Sequence, residues 1–175
     1  MPTAVERPTN EEYNAFYAGY IRRVPDGDLF DILSLQIAEL KQLVGHLSNE
    51  QALYRFAPDQ WSIKEVIGHI NDTERVMSYR ALCFSRGEKA PLPGFDQDEY
   101  VRAANFDARP LAELLQEFEL IRRSNGLLFK DMPAEMAERS GTASGWPIST
   151  RALLYILVGH VYHHMESLRT DYGIQ

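Results

Sequence analysis

Apolar residues recur along four stretches of this chain with a period near 3.6, and no stretch alternates with period two for long enough to make a strand. That pattern predicts an all-α fold. Behind Asp28, the positions Leu29, Ile32, Leu33, Leu40, Leu43, Val44 and Leu47 predict a first long helix over about 28–47. Ser62-Ile63-Lys64-Glu65 reads as a capping box, in which hydroxyl and carboxylate each satisfy an orphan backbone N–H. It opens a second long helix that runs through Val66, Ile70, Met77 and Phe84 to about Ser85 and stops at Arg86-Gly87. Pro110 suits the first turn of a third, which extends through Leu111, Leu114, Phe118 and Leu128 to about Asp131. Ser149 or Thr150 can cap a fourth, which ends near Tyr172-Gly173. Four helices of about 20 residues, each about 30 Å long, make a four-helix bundle. Ahead of them Tyr13, Phe16, Tyr17 and Tyr20 form the apolar stripe of a short N-terminal helix, and residues 1–27 read as an extension packed on the bundle.

A chain of 175 residues has room for a single domain, 1–175. Its net charge of −7 leaves no excess of cations for a phosphate backbone, so nucleic acid is not an expected partner. The lone cysteine, Cys83, permits no internal disulfide and no CxxC metal site. Neither a signal-like apolar run at the N-terminus nor a membrane-length apolar stretch is present, which gives the expectation of a cytoplasmic, membrane-free protein. The expected partner is a small-molecule substrate, with room for a homodimer through a bundle face.

The histidines carry the chemistry. His160 and His164 are four apart, one turn of helix, the spacing at which two imidazoles bind one ion. They lie on the stripe Leu153, Leu157, His160, His164, Leu168, so both replace apolar residues on the inward face. His69 falls on the buried flank of the second long helix. It stands about 10 Å from that helix's start, and the His160/His164 pair about 12 Å from the end of the fourth. These heights match only if the second and fourth helices are antiparallel, which requires a crossover that makes the second and third parallel. The 24 residues of 86–109, with Pro91, Pro93, Gly94 and a turn of helix near 98–104, are long enough to supply it. Three imidazoles would form a tripod for a divalent ion such as Zn or Ni and leave a position open to substrate. The plainer alternative is three core histidines, each bonded to a carbonyl or carboxylate.

Other residues divide between the site and ordinary roles. Asp72 and Thr73, at i+3 and i+4 from His69, could orient a ligand imidazole, and Asp72 is the candidate catalytic proton acceptor; an ion pair with a nearby arginine is its alternative. Glu74 is expected in an ion pair, Glu166 to be solvated or ion-paired, Trp61 and Tyr162 in core or rim packing, and His46 capping the first long helix. His163 is a weaker candidate ligand because it belongs to the Ile156 flank. Loops 86–109 and 132–148 are expected to rim the pocket.

The run Trp61-Ser62-Ile63-Lys64-Glu65-Val66-Ile67-Gly68-His69-Ile70-Asn71-Asp72-Thr73-Glu74, followed by Gly159-His160-Val161-Tyr162-His163-His164, resembles the DinB-like superfamily, the DinB/YfiT group of metalloenzymes. The likeness extends over nearly the whole chain, including Pro91-Leu92-Pro93-Gly94-Phe95. It implies a bundle with the crossover and a divalent metal on His69, His160 and His164. It also implies a metal-dependent enzyme, most simply an S-transferase that adds a low-molecular-weight thiol to an electrophile in detoxification or stress response. A metal-dependent hydrolase and a non-catalytic metal-binding protein are the alternatives.

Overall fold

The computed structural model describes residues 5–175; residues 1–4 of the expected N-terminal extension lie outside the described residues. Two short 3-10 turns, Asn10–Glu12 and Ala15–Tyr17, lead into α1 (Ala18–Arg23), followed by α2 (Leu29–Val44), α3 (Ile63–Ser85), α4 (Gln97–Ala104), α5 (Leu111–Phe129), α6 (Ala134–Glu138), the strands β1 (Ser140–Ala143) and β2 (Trp146–Ser149), and α7 (Thr150–Thr170). The four long elements are α2, α3, α5 and α7, as the periodicity predicts. Among the described residues, no helix is long and apolar enough to cross a membrane.

Side-chain contacts fix the relative directions of α3, α5 and α7. Asn71 bonds the Leu114 carbonyl, Arg75 pairs with Glu117 and Glu74 with Arg122, so positions on α3 and α5 rise together and the helices are parallel. Tyr172, past the end of α7, donates to the Trp61 carbonyl before α3, so those two helices run oppositely. The crossover that the histidine heights require is therefore present. It is held in place where Leu92 bridges Ala143, its N–H donating to the Thr142 carbonyl.

Local chemistry sets the starts of the helices that carry the site. Ser62 Oγ accepts from Glu65 N–H, and Glu65 Oε2 accepts from Ser62 N–H at 2.8 Å. At α7, Ser149 is the cap, accepting from Ala152 N–H.

Two elements depart from the sequence reading. Residues 140–149 form an antiparallel hairpin rather than an irregular loop. Four-residue strands are too short to display an alternating pattern, and the informative signal was the Ser144-Gly145 turn, where both φ values are positive. The N-terminal aromatic stripe is also not one straight helix: Tyr13 follows the first 3-10 turn, Phe16 and Tyr17 lie in the second, and Tyr20 lies in α1, which packs on α7.

That segment is tied down by charge and by a close backbone approach. Glu12 takes two bonds from Arg151 at 2.7 Å and one from Ser149 at 2.7 Å. Burial pushes the Glu12 carboxyl up, but the bonds from Arg151, the Thr9 backbone and Ser149 hold it down at about 2. At Gly159, a Cβ would stand 2.0 Å from the Tyr20 carbonyl oxygen, so α1 can cross α7 only over a glycine. Gly159→Ala is expected to cost about 1–3 kcal/mol, as overpacking does, and to lift α1 from α7. Faster tryptic cleavage at Arg22 and Arg23 than in the native chain would report it; an unchanged cleavage rate would contradict the close approach.

The buried apolar residues form two clusters, one reaching Val158 on α7 and the other resuming at Val161. The break falls at Gly159-His160. A polar layer fills that level: Arg122 Nε lies 3.0 Å from Glu74 Oε1, both side chains essentially inaccessible to solvent. Arg122 also donates to Gln36 Oε1 and the Leu157 carbonyl, each at 2.8 Å, while Asn125 donates to Glu74. Glu74 thus has the ion pair expected for it, with an arginine on another helix.

Candidate metal centre

His69 sits on the second turn of α3, and His160 and His164 on the second half of α7, so the antiparallel pair brings all three rings to one level. His69 Nε2 and His164 Nε2 each stand 3.0 Å from His160 Nε2. One ligand nitrogen from each ring lies within 4.8 Å of the others. His69 and His160 are buried and His164 half-buried.

Glycines beside two of these residues make the approach possible. A Cβ at Gly68 would fall 2.3 Å from the Phe106 ring, so the residue before His69 leaves space for an aromatic, as Gly159 before His160 leaves space for α1. Thr73 Oγ1 lies 3.5 Å from His69 Nδ1, and the Trp61 ring packs on His69 with centroids 4.7 Å apart. The Tyr20 ring meets His160 edge-on at 5.5 Å.

The charge state suits metal ligation. Burial, with a smaller contribution from His163, pushes the His69 pKa down to about 4. Burial and the neighbouring imidazoles push His160 and His164 well below the usual value. All three rings are therefore neutral near pH 7 and offer lone pairs. In a metal-free protein, these depressed values make acid destabilising. Above about pH 6.5 neither folded nor unfolded chain carries the proton; between about 6.5 and 4 the unfolded chain takes it and the folded chain does not. The metal-free chain is expected to lose about 3 kcal/mol over that window from His69 alone. Urea unfolding at pH 7 and pH 5 should read about 2 kcal/mol of it, and equal midpoints would contradict the burial of these rings.

The residues fit a divalent ion better than they fit one another. An imidazole Nε2 carries either one hydrogen or one lone pair. His160 Nε2 faces two other Nε2 atoms and can complete only one such contact by hydrogen bonding. On a shared ion with bonds of about 2.1 Å, two nitrogens stand about 3.0 Å apart at right angles and about 3.4 Å at the tetrahedral angle. The observed 3.0 Å falls at the first of these.

A cavity of about 350 Å³ opens on His160 and Thr73. Phe95 and Asp96 from the crossover and Ser144 from the hairpin help to close it, so both expected rim loops do line it. Sequence reasoning missed the third wall: Phe16, Tyr17 and Tyr20 from the N-terminal segment. Their i, i+1, i+4 spacing, part of the stripe that starts at Tyr13, was visible, but nothing in it told packing from pocket lining.

The other candidates fall outside the three-ring cluster. Asp72 is half-buried, with Arg75, Glu117 and Arg109 as its charged neighbours; burial raises its pKa, and it bonds to none of the three rings. Thr73 is the neighbour that reaches His69. The His163 ring packs on Tyr20 and on the His164 ring. Glu166 pairs with Arg23 at 2.9 Å, as expected. His46 is exposed, and among the described residues it makes no side-chain bond to the carbonyls of α2, so its expected capping role is not seen.

Comparison with known proteins bears on the fold and the family. No curated protein matches the chain. Among solved structures, YfiT from Bacillus subtilis, described as a probable metal-dependent hydrolase with an unusual four-helix bundle topology, aligns with a TM-score of 0.75 at 15% identity, covering 97% of this chain and 95% of YfiT. The mycothiol-dependent maleylpyruvate isomerase aligns at a TM-score of 0.67 and 13% identity, covering 88% of this chain and 63% of the isomerase. These likenesses establish the shared fold. The family model of the DinB superfamily matches residues 32–168, from α2 to near the end of α7, and the chain belongs to that superfamily.

Proposed function

We propose that the chain is a metal-dependent enzyme that transfers a low-molecular-weight thiol to an electrophile, with Zn or Ni held by His69, His160 and His164. The observation that carries this reading is the convergence of three neutral imidazoles, one of which, His160, lines a small cavity, with no fourth protein ligand in the cluster among the described residues. A structural zinc site normally fills all four positions from the protein. A divalent ion held there would supply Lewis acidity, so that a thiol or water could act as a nucleophile at neutral pH.

The protein's own groups do the rest. Thr73 and Trp61 restrain the His69 ring, and the Tyr20 edge restrains His160. Phe16, Tyr17, Met77 and Ile156 give the cavity apolar walls that receive the electrophile and exclude water. Cys83 is outside the cavity wall, so the thiol comes from a second substrate. The proton-accepting role for Asp72 has no contact to support it and is not part of this mechanism.

Hydrolysis uses the same site with water in place of thiol, and the likeness to YfiT favours that second reading. Product analysis separates them. Metal-loaded protein is incubated with 1-chloro-2,4-dinitrobenzene and cysteine, and separately with p-nitrophenyl acetate. In the first reaction the thiol loses its proton to solvent, a C–S bond forms, the C–Cl bond breaks and chloride leaves, giving a dinitrophenyl thioether. Metal-dependent thioether formation is the expected result. Metal-dependent ester cleavage without it would favour the hydrolase, and neither product above the metal-free rate would overturn the enzymatic reading.

A further inference from the structure

The same cavity holds a buried cation that the mechanism above does not use. Arg80, three turns along α3 from His69, is 3% exposed and lines the wall together with His160. Buried arginines are normally paired with carboxylates, and the other one in the bundle, Arg122, is matched by Glu74. Among the described residues, Arg80 makes no ion pair within 4.0 Å. Its partners are neutral: the Pro93 carbonyl at 2.6 Å, Ser144 Oγ at 3.0 Å and Met77 Sδ at 3.7 Å. A guanidinium has five N–H donors, so two remain without a protein acceptor.

The carboxylate on the cavity wall, Asp96, does not neutralise it. Asp96 is exposed and accepts from the backbone N–H of Asp98 and Glu99 as the N-cap of α4. Meanwhile α3, the crossover and the hairpin all converge on the guanidinium, and the Phe95 ring lies under it with 5.9 Å to the centroid. The cation is fixed in position and uncompensated.

We propose that Arg80 anchors a carboxylate of the substrate whose other end reaches the three histidines. The inference rests on reading the cavity as the substrate site. His69 and Arg80 are eleven residues apart, about 16 Å along the helix axis, and an arginine side chain leans back toward the helix N-terminus, here onto Met77. The substrate is therefore elongated, with an apolar middle facing Met77, Ile156 and Tyr17. A monoanion suits the site better than a phosphate dianion, because a single guanidinium meets the ligand and Asp96 stands on the same wall.

The test is calorimetric titration of metal-loaded protein with phenylacetate, phenylbutyrate and phenylhexanoate, each beside its primary amide. The expected result is that at least one acid binds about tenfold or more tightly than its amide, the worth of one charge-assisted hydrogen bond. Arg80→Gln should abolish that preference while retaining amide binding and metal content, and Arg80→Lys should keep part of it. Equal affinity of acid and amide, no saturable binding of any acid at millimolar concentration, or a preference that survives in Arg80→Gln would each overturn the assignment. In the last case the ion itself holds the carboxylate. Repeating the titration on metal-free chain separates the two proposals: the acid preference persists there if Arg80 is the anchor, whether or not the metal reading stands.

Discussion

Adding a strong chelator to the metal-loaded native chain is expected to lower its melting temperature by about 10 °C, and the same addition should leave His160→Ala unchanged. An ion present at about a thousand times its Kd stabilises the folded state by about 4 kcal/mol, and each kcal/mol moves the transition of a chain this long by about 2–4 °C. His160 is the sensitive choice because its Nε2 stands 3.0 Å from both other ligand nitrogens. Its loss removes the central arm of the tripod. Thermal scans with and without chelator measure the effect, and an equal response of native and variant would place any bound metal elsewhere.

The second large effect comes from the polar layer beside the metal centre. Arg122→Ala is expected to cost about 3–5 kcal/mol, because it strands the Glu74 carboxylate in the core. Burial already opposes the charged form of both partners, raising the Glu74 pKa and lowering that of Arg122, and their mutual attraction works against this. Removing both charges is a different matter. The double variant Glu74→Gln, Arg122→Met should recover most of the loss, since well-packed neutral residues replace buried pairs at little cost. Denaturant unfolding of the two variants tests this, and a double variant no more stable than Arg122→Ala would show that the network is worth more than its charges. The pair joins α3 to α5, while Gln36 and the Leu157 carbonyl link it to α2 and α7. It therefore reports on how all four helices meet.

Much of this arrangement was legible in the sequence because helix and metal geometry are both periodic. The apolar periods placed α2, α3, α5 and α7, and a capping box and a serine cap placed the starts of α3 and α7. The relative heights of His69 and the His160/His164 pair required antiparallel helices and hence the crossover, so topology followed from where the imidazoles had to meet. What escaped was aperiodic. The hairpin at 140–149 has strands too short to alternate. Nothing local in the sequence marks Arg80 for burial, because the crossover and hairpin contacts that cover it span 13 and 64 residues of chain. The close crossing of Tyr20 over Gly159 is likewise a long-range fact, visible in sequence only as a glycine before a histidine. Asp72 was chosen by its place one turn from His69, but its side chain has α5 charges for neighbours, whereas Thr73, one residue on, reaches the imidazole.

The central claim is that His69, His160 and His164 together hold one divalent ion. Elemental analysis of untagged protein after incubation with Zn and Ni, beside the His160→Ala, His164→Ala double variant, tests it directly. The account predicts about one Zn or Ni per native chain and none retained by the variant. A native chain that holds no metal under these conditions would contradict the account and leave three buried histidines bonded only to the protein around them.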